Sequence, residues 1–355
     1  MRRHLLFLVF LSAACAGDTT APVTHLATRV SNDSTSQQGI IGPIPGLGWS
    51  ATVLPIPAGY QYSRATSISD DGRIAGWILG TTWRRAVRWE GDTLVMAATL
   101  SSQYDSEGLD INTSGTMVGY VNLTSGGLVP VRWTSSSIEL LSAVGLKGRA
   151  LSINASGVIV GFLVQSQGIN RPVRWQPDGT LQYINIPFGY VHGVATGIND
   201  AGDIVGYVYN ASAQLFAYRW NATGGGLVLG SSFGPTTLAT DIASNRAASG
   251  YVYAWDAANV RHQYAASFDA TGHGVIVGPA GSSAGRLSEK GRIAILQTSL
   301  PQTWKGGSLT TLPLPGRYLF GTTAGVNTCG TTVGSVIAGT GAYRAVKWDR
   351  IFCDS

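Results

Sequence analysis

The chain has 355 residues, 47 of them glycine, with only 12% charged side chains and a formal charge of +5. Glycine abundance, low charge and the lack of any sustained helical period exclude a helical protein and fit a β-rich one with many turns. Arg2 and Arg3 supply part of the positive surplus and no basic run occurs, so a nucleic-acid footprint is excluded as well.

Residues 1–15, MRRHLLFLVFLSAAC, read as a targeting segment. Arg2 and Arg3 form its positive end, residues 5–11 are an apolar run too short to cross a bilayer, and the small residues Ser12, Ala13 and Ala14 precede Cys15. The segment resembles a bacterial lipoprotein signal, which implies that Cys15 becomes the lipidated N-terminus and the membrane anchor. Ordinary secretory cleavage at Ala14-Cys15-Ala16 is the alternative. Both routes place the chain outside the cytoplasm, on the outer membrane or cell surface in the first case and secreted in the second. Residues 16–48, rich in Thr, Ser, Asp, Gly and Pro, read as a flexible tether to a domain spanning 49–355.

A strand–turn–strand segment then recurs. It reads ATSISDDGRIAGW (65–77), LDINTSGTMVGY (109–120), LSINASGVIVGF (151–162) and ATGINDAGDIVGY (195–207). Degraded copies follow at 239–251 and 285–296, and a last good one at 324–335. The turn positions Gly72, Gly115, Gly157, Gly202, Arg246, Gly291 and Gly330 recur about every 43 residues, the period of a repeat fold. Asn and Asp before the turn glycine tolerate left-handed backbone, and the β-branched run after it suits a strand. The second glycine (Gly76, Gly119, Gly161, Gly206, Gly250, Gly334) sits inside that strand and predicts a bulge or a close backbone approach.

After a variable loop comes a third strand, RAVRW (85–89), VPVRW (129–133), RPVRW (171–175), FAYRW (216–220), YAASF (264–268) and RAVKW (344–348), then a turn and a fourth apolar strand. Four short strands per repeat match a propeller blade, and seven copies predict an all-β, seven-bladed β-propeller. Residues 50–56 are a fourth strand without its own first three. Ile56-Pro57, Gly59-Tyr60 and Ala65-Thr66 match Ile186-Pro187, Gly189-Tyr190 and Ala195-Thr196 at one constant offset. The last copy supplies only three strands, so 50–56 is expected to complete the last blade and close the ring, which removes open sheet edges. With Cys15 lipidated, Cys329 and Cys353 remain as an even pair in an exported chain. They are expected to form a disulfide that staples the C-terminus.

With both motifs in view, roughly residues 50–350 resemble the HAF-repeat extracellular proteins, which repeat an INxxGxIVGY segment followed by a short apolar stretch ending in Trp. The His-Ala-Phe tripeptide that names the family is replaced here by Arg85-Ala86-Val87, Phe216-Ala217-Tyr218 and their equivalents. The resemblance implies an exported bacterial protein with a propeller-like body, and no particular reaction.

Chemistry-bearing residues are sparse. The Arg-Trp pairs (Arg88-Trp89, Arg132-Trp133, Arg174-Trp175, Arg219-Trp220, with Lys347-Trp348) fit inter-blade packing with a satisfied cation better than a polyanion ring. The Asp and Asn of the turns lack the alternating oxygen set of a calcium loop, and no metal or cofactor is expected. The variable loops, which join strands two and three and successive blades, carry Tyr60, Tyr62, Trp83, Tyr104, Phe188, Tyr190, His192, Phe233, Trp255, His262, Tyr318 and Phe320. Aromatic side chains on a rigid scaffold suit a glycan or a cell-surface protein, bound by a monomer without catalysis. Asp105 and Glu107 are the one carboxylate pair on that face worth weighing as an acid/base couple, which keeps a secreted carbohydrate-active enzyme open. His192 and His262 fall, on this count, on blades that are not adjacent. A purely structural envelope protein is the third possibility.

Overall fold

The structure, a computed structural model, describes residues 48–353 except 101–104, 124–126, 136, 142, 144 and 298. The leader with Cys15, the tether and Tyr104 lie outside the described residues. Seven four-stranded antiparallel sheets follow one another around a ring, six with their strands in chain order from the axis outward and the seventh completed on its outer edge by the N-terminal strand. Blade one comprises Tyr62–Ile68, Ile74–Leu79, Arg84–Glu90 and Thr93–Met96; blade two Asp105–Ile111, Met117–Leu123, Gly127–Trp133 and Ile138–Leu140. Blade three comprises Lys147–Ile153, Ile159–Val164, Asn170–Trp175 and Leu181–Tyr183; blade four Tyr190–Ile198, Ile204–Asn210, Leu215–Trp220 and Gly226–Val228. Blade five comprises Leu238–Ile242, Ala248–Trp255, Arg261–Phe268 and Gly274–Ala280; blade six Ser283–Leu287, Ile293–Leu296, Gln302–Lys305 and Ser308–Thr311. Blade seven takes Tyr318–Val326, Thr332–Ala338 and Tyr343–Arg350 from the C-terminus. Its outer strand is Trp49–Val53, paired with register Trp49↔Arg350 through Val53↔Val346. The protein is therefore a seven-bladed β-propeller closed by its N-terminal strand, and Cys329 and Cys353 form a disulfide in the same blade.

The repeated residues have repeated jobs. Each second glycine faces a bulge in the inner strand: at Gly206 a β-carbon would stand 1.9 Å from the Val194 carbonyl, and the register slips between Ala195 and Gly197. The turn asparagines do more than tolerate left-handed backbone. Asn199 accepts from the Asp203 N–H of its own turn and donates to the Ala243 carbonyl of the next blade. Asn112 donates to Asn154, Asn154 to Asn199, and Asn327 to the Ser69 carbonyl, which carries the chain of bonds from blade seven back to blade one. Asp70 and Asp200 answer in the opposite direction, accepting from the backbone N–H groups of Thr328 and Ala155. Backbone polar groups that would otherwise sit unpaired between blades are satisfied in this way.

The third-strand tryptophans Trp89, Trp133, Trp175 and Trp348 are fully buried. The indole N–H groups of Trp89, Trp133, Trp220 and Trp348 donate to the carbonyls of Pro55, Ala98, Asn185 and Pro313, each in the link entering that tryptophan's own blade. The neighbouring arginines reach the next blade: Arg88 bonds Glu90 and the Thr134 carbonyl, and Arg132 bonds Glu139 and the Pro177 carbonyl.

Candidate functional site

The two ends of the ring differ in kind. At the end carrying the short turns, the axis is filled. Arg286 of blade six donates to Ser152 Oγ at 3.2 Å and to the carbonyls of Leu151 at 3.0 Å and Leu109 at 3.4 Å, in blades three and two. Its guanidinium lies 3.2 Å from Asp110 and 3.5 Å from Asp241. Asp110 also accepts from Ser67 Oγ, Ser152 Oγ and the Ile153 N–H, and Asp241 accepts from the Leu287 N–H. Burial alone would disfavour the charge on Arg286, but the two carboxylates outweigh it and hold its pKa above the ordinary value. Five blades meet in this network, which ties their inner strands together. Sequence inspection missed it because Arg286 sits in a degraded repeat, at the position occupied elsewhere by Ser67, Asp110, Ser152, Gly197, Asp241 and Gly325.

The loop end is open on one side. Between blades seven and one lies a cleft of about 580 Å³ lined by Tyr60, Gln61, Tyr62, Arg317, Tyr318, Arg344 and the 338–342 loop. The Tyr62 ring rests 4.8 Å from that of Tyr343, which meets Trp77 edge-on at 5.6 Å. The Arg317 guanidinium lies 6.0 Å from the Tyr318 ring. Arg344 Nε is enclosed and has no hydrogen-bond partner among the described residues. A groove of about 420 Å³ lies between blades three and four at the turn end, lined by Arg174, Tyr183, Trp220 and the 221–225 turn.

Of the aromatics singled out in the sequence, Tyr60, Tyr62 and Tyr318 therefore share one cleft. Trp83, Phe188, Trp255 and Phe320 are exposed on separate blades or links. Tyr190 packs into its own blade, 5.7 Å from Phe216, and Phe233 is partly buried against the Phe268 core. Several of these residues stand within strands rather than loops, because the hairpins extend further than the sequence pattern shows: Tyr62, Tyr190, His192, His262, Tyr318 and Phe320 are all in strands. His192 and His262 belong to blades four and five, which are adjacent, contrary to the sequence count. They serve different partners. His192 Nδ1 accepts from the Asn170 N–H and its ring lies 6.1 Å from Tyr209, and burial holds its pKa below the usual imidazole value. His262 Nε2 lies 2.9 Å from Asp256.

Asp105 and Glu107 also stand on a strand, the inner strand of blade two, not on a loop. Both face Arg84, at 3.6 and 3.2 Å, and Glu107 accepts a 2.5 Å bond from the Tyr120 hydroxyl. Arg149 of blade three lies over the Tyr120 ring at 4.6 Å. The Tyr120 hydroxyl is pushed above its ordinary pKa by burial, with Glu107 acting in the same direction. The carboxylates are spent on a cation and a phenol rather than set across a cleft from each other.

No protein-family profile matches the chain, and no curated protein does. Solved structures do. A streptogramin B lyase superposes with a TM-score of 0.53 at 10% identity, over 85% of this chain and 98% of the other. A Mycobacterium tuberculosis puromycin-hydrolyzing peptidase gives 0.54 at 13% identity, over 83% of this chain and 53% of the other. The BP39L lectin from Burkholderia pseudomallei gives 0.48 at 10% identity, over 83% and 98%. At such identities the likeness establishes the fold and nothing finer.

Proposed function

We propose that this protein is an exported, non-enzymatic binding module that holds a carbohydrate on the loop end of its propeller. The cleft between blades seven and one carries the proposal: three tyrosine rings and two arginines converge there on one open space. Its volume falls within the range of about 300–1,000 Å³ usual for ligand sites. Tyrosine offers a flat apolar face to a sugar ring and a hydroxyl to its oxygens. Tyr62 is propped by Tyr343, which is itself held edge-on by Trp77, so it loses little further freedom on binding. The tie of Asp105 and Glu107 to Arg84 and Tyr120 favours binding over glycoside cleavage. The leader ending at Cys15, the tether and the HAF-repeat resemblance support a lipid-anchored surface address.

A glycan array tests the reading. Binding is expected, and Tyr60→Ala or Tyr318→Ala is expected to weaken it severalfold while leaving the fold intact. A blank array combined with capture of a cell-surface protein on the same face would replace the carbohydrate with a protein partner.

A further inference from the structure

We infer that the cleft between blades seven and one selects an acidic sugar, a carboxylate-bearing residue such as a hexuronic acid within a polysaccharide, with Arg344 as its principal anchor and Arg317 as its second. The inference rests on the carbohydrate reading above and narrows it. The cleft lining contains two guanidinium groups and no carboxylate. Two loop-end arginines elsewhere are engaged: Arg84 faces Asp105 and Glu107, and Arg261 bonds the Pro235 carbonyl and lies over Tyr253 at 5.0 Å. Arg344 shares with Arg149 an enclosed Nε that has no partner among the described residues, and of the two only Arg344 lines the cleft. A buried donor left unpaired costs free energy, and such groups in native proteins call for an explanation such as an absent ligand.

The geometry of the side chain narrows the ligand further. A guanidinium presents a planar fork that matches a carboxylate with two parallel hydrogen bonds. Arg344 follows Tyr343 on one strand, so the two side chains leave opposite faces of the blade: Tyr343 supports Tyr62, and Arg344 joins Tyr60, Tyr62 and Tyr318 in lining the cleft. Arg317 adjoins Tyr318 in the cleft lining and is exposed, which suits a second contact that gathers the anion before the fork closes on it. A pyranose ring against a tyrosine, with its carboxylate turned toward Arg344, meets both features at once.

The test is calorimetric titration of the protein with oligosaccharides of galacturonate, mannuronate and glucuronate, each beside its carboxyl-reduced counterpart. At least one uronate is expected to bind, with loss of about tenfold or more on carboxyl reduction, the scale of a lost charge-assisted hydrogen bond. Arg344→Gln should lose about as much for the acidic ligand only, and Arg344→Lys should restore it only in part, since an ammonium cannot fork. Arg317→Gln should lose severalfold, and Arg261→Gln, outside the cleft, nothing. Should Arg344→Gln fail to fold, the carboxyl-reduced ligands and Arg317→Gln decide the matter without it. Equal binding of acidic and reduced oligosaccharides, abolished by Tyr60→Ala, would overturn the acidic assignment and leave the carbohydrate reading standing. Preference for a sulfated neutral sugar over every uronate would overturn the carboxylate. Failure of all saccharides, acidic and neutral, would overturn both proposals.

Discussion

Arg286 of blade six reaches across the ring axis to within 3.2 Å of Asp110 in blade two. The contact joins residues far apart in sequence and lets one guanidinium serve two buried carboxylates, Asp110 and Asp241, together with the carbonyl of Leu109, beside Asp110 on the same strand, and that of Leu151 in blade three. Removing the cation strands both acids. Arg286→Met is therefore expected to cost about 3–5 kcal/mol, the usual penalty for breaking a buried pair from one side. Adding Asp110→Asn and Asp241→Asn to that variant should recover much of the loss. Denaturant midpoints for the single and triple variants check this. A single variant as stable as the parent would mean the network does not hold the ring together.

The same network gives a pH dependence. Burial pushes the Asp241 carboxyl up to about 6, with Asp110 acting the same way and Arg286 against it. An unfolded aspartate titrates near 4, so the folded chain holds the extra proton between roughly pH 4 and 6. A folded-state value above the unfolded one makes this group's contribution to stability fall as pH rises through that window. Asp241→Asn, neutral throughout, should compare more favourably with the parent at about pH 7.5 than at about pH 4.5. A variant that loses more at the higher pH would show that pairing with Arg286 outweighs burial.

How much of this was legible before the fold is a matter of range. Turn glycines, the in-strand glycine and the third-strand tryptophan are readable because each reflects a constraint repeated in most blades, although Arg246 and Phe268 stand in for two of them in blade five and Ile295 for the in-strand glycine in blade six. The strand at 50–56 is placed by its match to 180–186, and closure follows from counting strands. Arg286 was not readable: its partners lie in three other blades, and its own repeat has lost the Ile-Asn signature. Arg344 reads as one more arginine opening a third strand, and only the approach of Tyr62 and Tyr318 from two different blades gives it a cleft. Asn199 and its equivalents were assigned to turn conformation, whereas their amides bridge blades, a role that sequence spacing does not report.

Seven interfaces use two interchangeable solutions. Where the third strand offers an alanine N–H, a hydroxyl in the next inner strand or just before it accepts: Ala86 to Ser106, Ala217 to Thr237, Ala265 to Ser282 and Ala345 to Ser63. Where the third strand has Pro130, Pro172 or Pro301, with no N–H to satisfy, the matching positions are Gly148, Gly193 and Gly321. A β-carbon on Gly193 or Gly321 would stand within 3.3 Å of the proline ring. Ser106→Ala should thus cost about 1–3 kcal/mol by orphaning the Ala86 N–H. The double change Ala86→Pro with Ser106→Gly should cost less than Ser106→Gly alone, which a double-mutant cycle in urea reads directly. Strict additivity would mean the two positions are not coupled.

The leader makes a separate prediction. If Cys15 is the lipidated residue, Cys15→Ala should abolish incorporation of labelled fatty acid and move the protein from the membrane fraction to the soluble one. Unchanged labelling would place the anchor elsewhere, and no labelling in the parent would favour plain secretion.

Closure of the ring can be tested against its own disulfide. Trp49 is buried with Val336, Val346, Trp348 and Leu312, so the N-terminal strand brings packing as well as a ladder of backbone bonds to blade seven. The Cys329–Cys353 bond, closing a separation of 24 residues, restrains only the far end of that blade and is expected to be worth about 3 kcal/mol. Deleting 49–53 should therefore be worse than replacing both cysteines with serine. It exposes the edge of Tyr343–Arg350 and the apolar surface around Trp348, and an uncovered edge of that kind invites intermolecular pairing. The deletion is expected to aggregate on purification, while the serine variant stays monomeric with a lowered melting temperature. Size-exclusion chromatography and thermal melts of the two variants separate these outcomes. A deletion variant that remains soluble and melts with the parent would show that blade seven stands on three strands.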